Sequence, residues 1–429
     1  MKRFLAIFFS LSLLLTVSIP VCRASNWYDG LFFNDSEYTF QAVRAMSYAF
    51  SGGADIGECI STIRKIKEND DTSWYKEWLK TADRIFKAAV RSEQNGHIES
   101  AKELYLRASN YYRSAGFFMH SKKDLPKAMV SWEKSRKSFL NAIHYMPGVK
   151  PISIPYENTT LPGYFVKGSS KLPKPPLLIV QTGFDGTGEE LYFETAYSAR
   201  KRGYNVLIFE GPGQGAVVRV QHLPFRYDWE KVITPVVNYA LSRKDVDKEK
   251  IALLGISMGG YLVTRAMAFE HRVKVCVADG GIFDFSENIY RNIPPKLIKL
   301  LHTNKPMFNK YIYKAMKTDT TVRWFFTNGM FVFGVNSPAD VMLTIKKYTV
   351  KGVVDKITTR MLIVDSSADA FMKGQARKLY NRLKSPKKYY LFTNKECAQA
   401  HCQVGALEIA DEVILNHLDD VFKRNHQSL

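Results

Sequence analysis

The chain after its first 25 residues repeats apolar positions every three or four residues, which is the period of an amphipathic helix. Two such series are Ala101, Leu104, Tyr105, Ala108, Tyr111 and Tyr112, then Ala128, Trp132, Ser135, Phe139 and Ile143. The pattern predicts an all-helical domain over residues 25–146. The sequence has no strict repeat of the period expected for stacked helix pairs, so a helical cap or docking domain is favoured over a tetratricopeptide array.

The hydrophobic pattern changes after residue 146. Prolines at 147, 151, 155 and 162 cannot continue a helix, and beyond them the apolar residues form short continuous runs. After a hairpin over 152–166, the runs are 177–180, 206–209, 251–254, 273–277, 362–364 and 389–392. Such runs are typical of strands buried on both faces of a parallel sheet. Helical segments lie between them, so residues 147–429 are predicted to form an α/β domain with a mostly parallel, doubly wound sheet.

A long segment, residues 285–359, interrupts this alternation of strand and helix. It is rich in Phe, Tyr, Met and Lys. Because it follows the carboxyl end of a strand, we predict a lid insertion that covers the strand ends.

The amino terminus has the three parts of a secretory signal peptide. Lys2 and Arg3 precede an apolar run that ends near Ile19, and the small residue Ala24 precedes Ser25. A membrane anchor needs roughly 18 clean apolar residues, whereas this run is shorter and contains serines. We therefore predict that residues 1–24 are removed and that the protein is secreted or periplasmic. No other stretch is long and apolar enough for an integral membrane span.

Lys and Arg number 61 against 41 for Asp and Glu, which gives a formal net charge of +20. The excess is spread along the chain, and no basic motif is interleaved with aromatic residues. Nucleic acid is therefore not expected as a partner. The oligomeric state is not predicted by any feature of the sequence.

Four cysteines follow the predicted signal peptide, at positions 59, 276, 397 and 402. Cys397 and Cys402 are the close pair that could form a disulfide in an oxidising compartment, and the sequence leaves this open. The spacings do not match a zinc site, so no metal is expected. Gly211-Pro-Gly-Gln-Gly215 lacks the ending of a nucleotide-binding loop. It predicts a rigid turn that lines a pocket, and no cofactor is expected.

Gly255-Ile-Ser-Met-Gly259 follows an apolar strand and opens an apolar helix. This context is the one required of a nucleophile elbow, a tight turn that raises a serine hydroxyl above a sheet. Side chains two residues before and after Ser257 would collide in such a turn, so glycine is needed at both positions. Ser257 is therefore the predicted nucleophile.

A serine nucleophile needs a base and a carboxylate that orients the base. The base should follow the last strand, and His401 does. The acid should follow the preceding strand, where Asp365 and Asp369 are both candidates. Asp365 ends the strand itself, whereas Asp369 lies further along the loop and could reach across to an imidazole. We therefore predict Asp369 as the acid and His401 as the base.

The oxyanion of an acyl-transfer intermediate needs two backbone N–H donors. One should come from the residue after the nucleophile, Met258, and the other from the loop after an early strand. Phe184 in that loop is the predicted second donor, because Gly183 before it allows the backbone to approach closely.

Four segments together resemble one group of enzymes. They are Thr182–Leu191, Phe209–Gly215, Gly255–Leu262 and Ala400–Gln403. These segments are similar to those of the α/β-hydrolases related to dihydroxypseudooxynicotine hydrolase, the fungal pigment-pathway chain-shortening hydrolases and the fermentation-respiration switch esterase. The resemblance implies an α/β-hydrolase fold with an amino-terminal helical region.

The same resemblance implies Ser257 as nucleophile, Asp369 as acid and His401 as base. The group includes esterases and hydrolases that cleave carbon–carbon bonds of β-dicarbonyl-like compounds. The latter use an additional acid, for which Glu287 is the candidate in this sequence. The chain departs from the group at Cys397, where glycine is usual.

The function predicted from the sequence is that of an exported serine hydrolase. The predicted substrate is a small carboxylic ester, and the aromatic character of the predicted lid indicates that it is mostly apolar. A carbon–carbon (β-diketone-type) hydrolase or a peptidase is the alternative. A further alternative is a non-catalytic binding protein on a hydrolase scaffold.

Overall fold

The computed structural model describes residues 26–423, so the predicted signal peptide lies outside the described residues. The first described segment is helical: α1 (Ser36–Ser47), α2 (Ile56–Ile63), α3 (Asp71–Gln94), α4 (Ile98–Gly116) and α5 (Leu125–His144). Asp35, Asp55 and Asp70 each accept hydrogen bonds from the first backbone N–H groups of α1, α2 and α3. Such caps satisfy donors that have no partner within the helix.

Large aromatic side chains form the core of this helical region. Trp74 and Trp78 on α3 are fully buried. The Trp74 ring packs edge-on against Tyr38 of α1, with centroids 5.1 Å apart, and its indole N–H donates to the Ser114 carbonyl at 2.7 Å. Aromatic rings bury more surface than any other side chain, and here they hold the five helices as one unit.

Eight strands of the described residues form one sheet: β1 (Val149–Tyr156), β2 (Thr159–Val166), β3 (Leu177–Gln181), β4 (Asn205–Phe209), β5 (Ile251–Ile256), β6 (Val275–Asp279), β7 (Arg360–Ser366) and β8 (Lys387–Phe392). Their order across the sheet is β1-β2-β4-β3-β5-β6-β7-β8. The β1–β2 and β2–β4 pairs are antiparallel and the others are parallel. The carboxyl ends of the parallel strands therefore meet at one edge of the sheet.

Helices between the strands cover both faces of the sheet: α6 (Gly188–Leu191), α7 (Tyr197–Lys201), α8 (Gly215–Val220), α9 (Glu230–Ser242), α10 (Met258–Ala266), α16 (Gln375–Arg382) and α17 (Leu407–Phe422). The segment between β6 and β7 adds five more: α11 (Phe285–Arg291), α12 (Pro295–Thr303), α13 (Lys305–Ala315), α14 (Thr320–Val332) and α15 (Pro338–Ile345). None of the helices within residues 26–423 has both the length and the apolar character needed to cross a membrane.

Two details differ from the sequence prediction. The run at 389–392 was expected to be buried on both faces, but β8 is the edge strand and most of its residues are partly exposed. Phe392 is buried, but Tyr389, Tyr390 and Leu391 follow Lys387 and Lys388, and lysines suit an edge strand better than a core strand. Helix α8 was also not predicted, because its glycine-rich start resembled a turn.

A buried network of ion pairs joins the helical region to the sheet domain. Arg44 of α1 donates to Glu190 of α6 at 2.9 Å and to Asp185 at 3.2 Å, and Arg113 of α4 also reaches Glu190 at 3.2 Å. Because buried charges need partners, these side chains depend on one another across the junction. The helical region is therefore packed directly onto the edge of the sheet that carries Ser257.

Candidate active site

Ser257 lies at the sharp turn between β5 and α10. Its backbone has φ 60° and ψ −126°, a conformation that non-glycine residues rarely adopt and that occurs mainly at functional sites. A Cβ added to Gly255 would lie 2.2 Å from the Gly259 carbonyl oxygen, and one added to Gly259 would lie 2.9 Å from that of Thr182. The two glycines are therefore required by backbone packing around the serine.

His401 and Asp369 reach Ser257 from the loops after β8 and β7. The Ser257 Oγ lies 2.9 Å from His401 Nε2, and His401 Nδ1 lies 2.7 Å from Asp369 Oδ2. All three were predicted as site residues, and the structure brings them together in one hydrogen-bonded chain. Asp369 and His401 are both nearly excluded from water.

The other candidate acid, Asp365, is directed elsewhere. Its Oδ2 accepts a hydrogen bond from the Tyr389 hydroxyl at 2.6 Å, and its Oδ1 accepts one from the Ser366 N–H at 2.9 Å. Asp365 thus closes the end of its own strand. The loop position of Asp369 is what allows that carboxylate to contact the imidazole.

The pKa values of the pair follow from this contact. Burial raises the pKa of Asp369, but the His401 imidazole and the N–H groups of Met372 and Phe371 outweigh it, so that the Asp369 pKa lies below its usual value. Burial lowers the pKa of His401, and the Asp369 carboxylate reverses this, so that the His401 pKa lies above 6.5. The pair therefore favours a charged carboxylate that supports a proton on the imidazole.

The loop after β3 lies against the serine turn. A Cβ added to Gly183 would lie 2.7 Å from the Met258 nitrogen, so only glycine permits this approach. Among the hydrogen bonds of residues 26–423, none has the N–H of Met258 or Phe184 as its donor. Both predicted oxyanion donors are therefore adjacent to the nucleophile and available to a bound group.

Gln214 fixes the orientation of that loop and was not predicted as a site residue. Its Nε2 donates to the carbonyl oxygens of Thr182 at 2.7 Å and Gly183 at 3.3 Å, and its Oε1 accepts from the Gly211 N–H at 3.0 Å. In a trans peptide the C=O and the following N–H point in opposite directions. Holding the Gly183 carbonyl therefore directs the Phe184 N–H away from Gln214.

The loop after His401 is held by a second buried glutamine. Cys402 and Gln403 both have positive φ, 48° and 51°, which is uncommon for residues other than glycine. Gln403 Nε2 donates to Asp279 Oδ1 at 3.1 Å and to Ser366 Oγ at 3.0 Å. These bonds stabilise a strained turn that presents His401. Cys402 is buried there and Cys397 is exposed, and both are free thiols rather than the disulfide that the sequence left open.

A cavity of about 200 Å³ opens at Ser257 and His401. Much of its wall is apolar, and the lid supplies Phe285, Ile289, Ile293, Val322, Trp324, Phe325 and Phe326. The opposite wall comes from the helical region and the loop after β3, with the polar side chains Asn26, Glu37, Gln41, Arg44 and Asp185. The helical region and the predicted lid thus line one pocket together, and the charged lining residues of these two parts all come before β1: Asp29, Glu37 and Arg44. Within the described part of the chain, no cluster of three or more His, Cys, Asp and Glu side chains is arranged to hold a metal ion.

Glu287, the candidate for an additional acid, does not line this cavity. Its carboxylate pairs with Lys378 and Arg291 and accepts from Gln375 Nε2 at 3.0 Å. Hydrogen bonds from Lys378 and Gln375, together with the positive charges of Lys378 and Arg291, hold the pKa of Glu287 below its usual value. Helix α11 presents Phe285 and Ile289 to the pocket instead, so Glu287 lies on a different face of the helix.

Comparison with known proteins agrees with this fold. A family model described as the prolyl oligopeptidase family (Peptidase_S9) matches residues 191–401. Hydrolase acrC of Aspergillus aculeatus is 30% identical over 428 residues, covering 91% of this chain and 98% of the relative. The chain belongs to the α/β-hydrolase family. The 20-hydroxy-prefusarin hydrolase FUS2 of Gibberella moniliformis is a second relative of this α/β-hydrolase, 31% identical with 91% and 97% coverage.

Solved structures share the fold of this α/β-hydrolase. The crystal structure of 2,6-dihydroxy-pseudo-oxynicotine hydrolase superposes with a TM-score of 0.67 at 18% identity, covering 88% of this chain and 95% of that chain. A structure titled AbyA5 wildtype gives a TM-score of 0.60 at 15% identity, covering 86% and 91%. These structures confirm the α/β-hydrolase fold predicted from the sequence. The relatives acrC and FUS2 confirm the predicted family and that the chain is a hydrolase.

Proposed function

We propose that this α/β-hydrolase is a serine hydrolase of small carboxylic esters, with Ser257 as nucleophile, His401 as general base and Asp369 as the acid that orients it. The observation that supports the proposal most is the unbroken chain of hydrogen bonds from Asp369 through His401 to Ser257. A carboxylate on Nδ1 leaves Nε2 free to accept the serine proton.

In the first half of the reaction, Ser257 Oγ attacks the ester carbonyl carbon while its proton passes to His401 Nε2. The carbonyl oxygen becomes an oxyanion, which the N–H groups of Met258 and Phe184 stabilise. The intermediate collapses, the bond to the alcohol oxygen breaks, and protonated His401 gives its proton to the leaving alcohol. An acyl group then remains on Ser257.

In the second half, a water molecule gives a proton to His401 Nε2 and attacks the acyl carbon. The resulting oxyanion uses the same two donors. Collapse breaks the bond to Ser257 Oγ, which recovers the proton from His401. The products are one carboxylic acid and one alcohol, and the enzyme is regenerated.

The size and cover of the cavity favour a small molecule over a polypeptide. The space at Ser257 is about 200 Å³ and lies between the helical region and the lid, whereas a peptide chain needs an open groove on both sides of the scissile bond. The apolar lid wall favours an apolar body in the substrate. A peptidase is therefore the weaker candidate, despite the description of the matching family model.

Carbon–carbon cleavage is the second candidate, because the relative FUS2 is named a 20-hydroxy-prefusarin hydrolase and not an esterase. The same serine, base and oxyanion donors could attack a ketone carbonyl. The position of Glu287 outside the cavity argues against it, since the additional acid expected from the sequence does not reach the pocket. We therefore favour the ester.

The test uses a fluorophosphonate probe, which phosphonylates an activated serine. Wild-type protein should be labelled at Ser257, and Ser257→Ala should lose labelling and lower ester turnover by about 10⁴- to 10⁶-fold. Ser242→Ala is the matched control, since that hydroxyl donates only to the Tyr239 carbonyl and should change neither.

Wild-type protein that resists the probe would point to the non-catalytic alternative. If Ser257→Ala instead retained more than a tenth of the turnover, the assignment of the nucleophile would be wrong. A panel of esters, β-diketones and aminoacyl amides assayed with the same wild-type protein then distinguishes the three reaction classes.

A further inference from the structure

Helix α1 presents polar side chains to the cavity, contrary to the rule that a buried helix face is apolar. Glu37, Gln41 and Arg44 follow one another at four- and three-residue spacing, so they share one face of the helix. They are 3%, 3% and 7% exposed, and all three line the cavity that contains Ser257. Burying three polar groups together is costly unless each has a partner.

Arg44 is fully paired with Glu190 and Asp185, whereas Glu37 and Gln41 each have a side-chain oxygen without a hydrogen-bond partner. Gln41 Nε2 donates to Glu37 Oε1 at 3.0 Å. The hydrogen bond from Gln41 is the one that the Glu37 carboxylate accepts within residues 26–423, and it goes to Oε1, so Oε2 is left open. Gln41 Oε1 is buried without a partner. A buried carboxyl with an open oxygen beside a cavity is the arrangement expected of a ligand contact.

The position of α1 relative to the nucleophile follows from a short chain of aromatic contacts. Phe40, between Glu37 and Gln41, packs edge-on against Phe371 with centroids 5.8 Å apart. Phe371 in turn packs against the His401 ring at 5.0 Å. The polar face of α1 therefore borders the same space as the base, opposite the apolar lid.

We propose that Glu37 binds a second oxygen function of the substrate, a carbonyl or hydroxyl several atoms away from the bond that Ser257 attacks. The proposal rests on the serine-hydrolase function proposed above and adds the substrate class: an ester whose body is apolar on the lid side and carries an oxygen on the side of α1. Glu37 thereby determines specificity rather than the reaction itself.

The electrostatics of the site support a carboxyl that donates a hydrogen bond. Burial raises the pKa of Glu37 to about 7, with Asp35 and Asp185 adding to the increase and Gln41 and Arg44 opposing it. A protonated carboxyl is a donor as well as an acceptor. Since Gln41 already donates to Oε1, the proton belongs on Oε2, where it can meet a substrate oxygen.

The experiment compares pairs of short esters that differ by one keto or hydroxyl oxygen, in the acyl half or in the alcohol half. Wild-type protein should prefer one oxygenated ester over its plain partner by about 10- to 100-fold in kcat/KM, the range for one buried hydrogen bond. Glu37→Leu should abolish this preference. Glu37→Gln, which can still donate and accept, should retain most of it.

The pH dependence gives a second test that does not need Glu37→Leu to fold. In wild-type protein the preference for a keto ester should fall as pH rises through about 7, because the donor proton is lost. In Glu37→Gln the preference should not change over that range. The same pH dependence in both proteins would overturn the proposal.

Labelling by the fluorophosphonate probe separates the two levels of the argument. Wild-type protein and both Glu37 variants should be labelled at similar rates, since Glu37 contacts neither Ser257 nor His401. Absence of labelling in wild type would overturn the serine-hydrolase function and this proposal with it. Labelling without any preference for an oxygenated ester, or a preference that persists in Glu37→Leu, would overturn this proposal alone.

Discussion

Replacing Gln214 by methionine should slow the reaction, although the side chain at this position does not contact the substrate. Gln214 is 2% exposed and does not line the cavity. Its amide holds the carbonyl oxygens of Thr182 and Gly183, and it accepts a bond from Gly211. Methionine has nearly the same length but offers none of these bonds. The loop that carries the Phe184 N–H would then lose the contacts that set its direction.

The size of the effect on stability follows from the backbone groups that lose their hydrogen bonds to Gln214. A buried polar group that loses its hydrogen bond costs about 1–3 kcal/mol, and the shorter two of the three bonds, at 2.7 and 3.0 Å, carry most of the effect. We therefore expect Gln214→Met to lower the free energy of unfolding by about 2–5 kcal/mol. Removing an oxyanion donor lowers kcat by about 10²- to 10³-fold. Here the donor remains but is misdirected, so we expect a loss of about 10- to 100-fold in kcat, with KM within about threefold.

Steady-state kinetics on a short ester measure kcat and KM, at a temperature well below the unfolding midpoint of the variant. Gln221→Met is the matched control: Gln221 also makes two side-chain hydrogen bonds, to Thr159 and the Thr160 carbonyl, but lies away from the oxyanion loop. It should leave kcat unchanged. If Gln214→Met lowered stability while kcat stayed within twofold of wild type, the glutamine would not orient the Phe184 N–H.

Two further predictions concern the acid and export. Asp369→Asn should lower kcat by about 10⁴-fold, whereas Asp365→Asn should lower it by less than about tenfold. His401 must be neutral to act as a base, and Asp369 raises its pKa above 6.5, so kcat/KM of the wild type should fall as pH drops through that raised value. The residual activity of Asp369→Asn should fall only at lower pH. The same pH dependence on the acid side in both proteins would contradict this. Mass spectrometry of the exported protein should find Ser25 at its amino terminus, and an intact Met1 would refute the signal peptide.

The turn that carries Ser257 and the loops that carry His401 and Asp369 could be predicted from the sequence. Gly255 and Gly259 stand two residues from Ser257, and this spacing has one structural explanation once a strand precedes and a helix follows. His401 and Asp369 could be located because the order of strands along the chain determines which loops meet at the carboxyl edge of the sheet. Choosing Asp369 over Asp365 needed only the difference between a strand end and a loop.

The side chains that support the site could not be predicted. Gln214 lies in a glycine-rich turn and Gln403 lies two residues after His401. Nothing in a single sequence shows where a glutamine amide will point. The contact of Arg44 with Asp185 joins residues 141 positions apart, and no local period carries that information. Glu37 resembles an ordinary acidic residue in the first turn of a helix, where it stabilises the dipole. Only the fold shows that it is buried beside the nucleophile.

The residues proposed for the reaction and the residue proposed for substrate choice belong to different parts of the chain. The family model spans residues 191–401, a range that contains Ser257, Asp369 and His401 but excludes Phe184 and helix α1. The relative acrC instead aligns over 91% of this chain, including the helical region. Arg44 forms ion pairs with Asp185 and Glu190, and Asp185 follows Phe184 directly. The helix that carries Glu37 therefore also places a positive charge beside the predicted oxyanion loop. A change at Arg44 is therefore expected to alter the geometry of this loop as well as the cavity. Glu37 makes no hydrogen bond to the loop, so a change there is expected to alter substrate choice with a smaller effect on the loop.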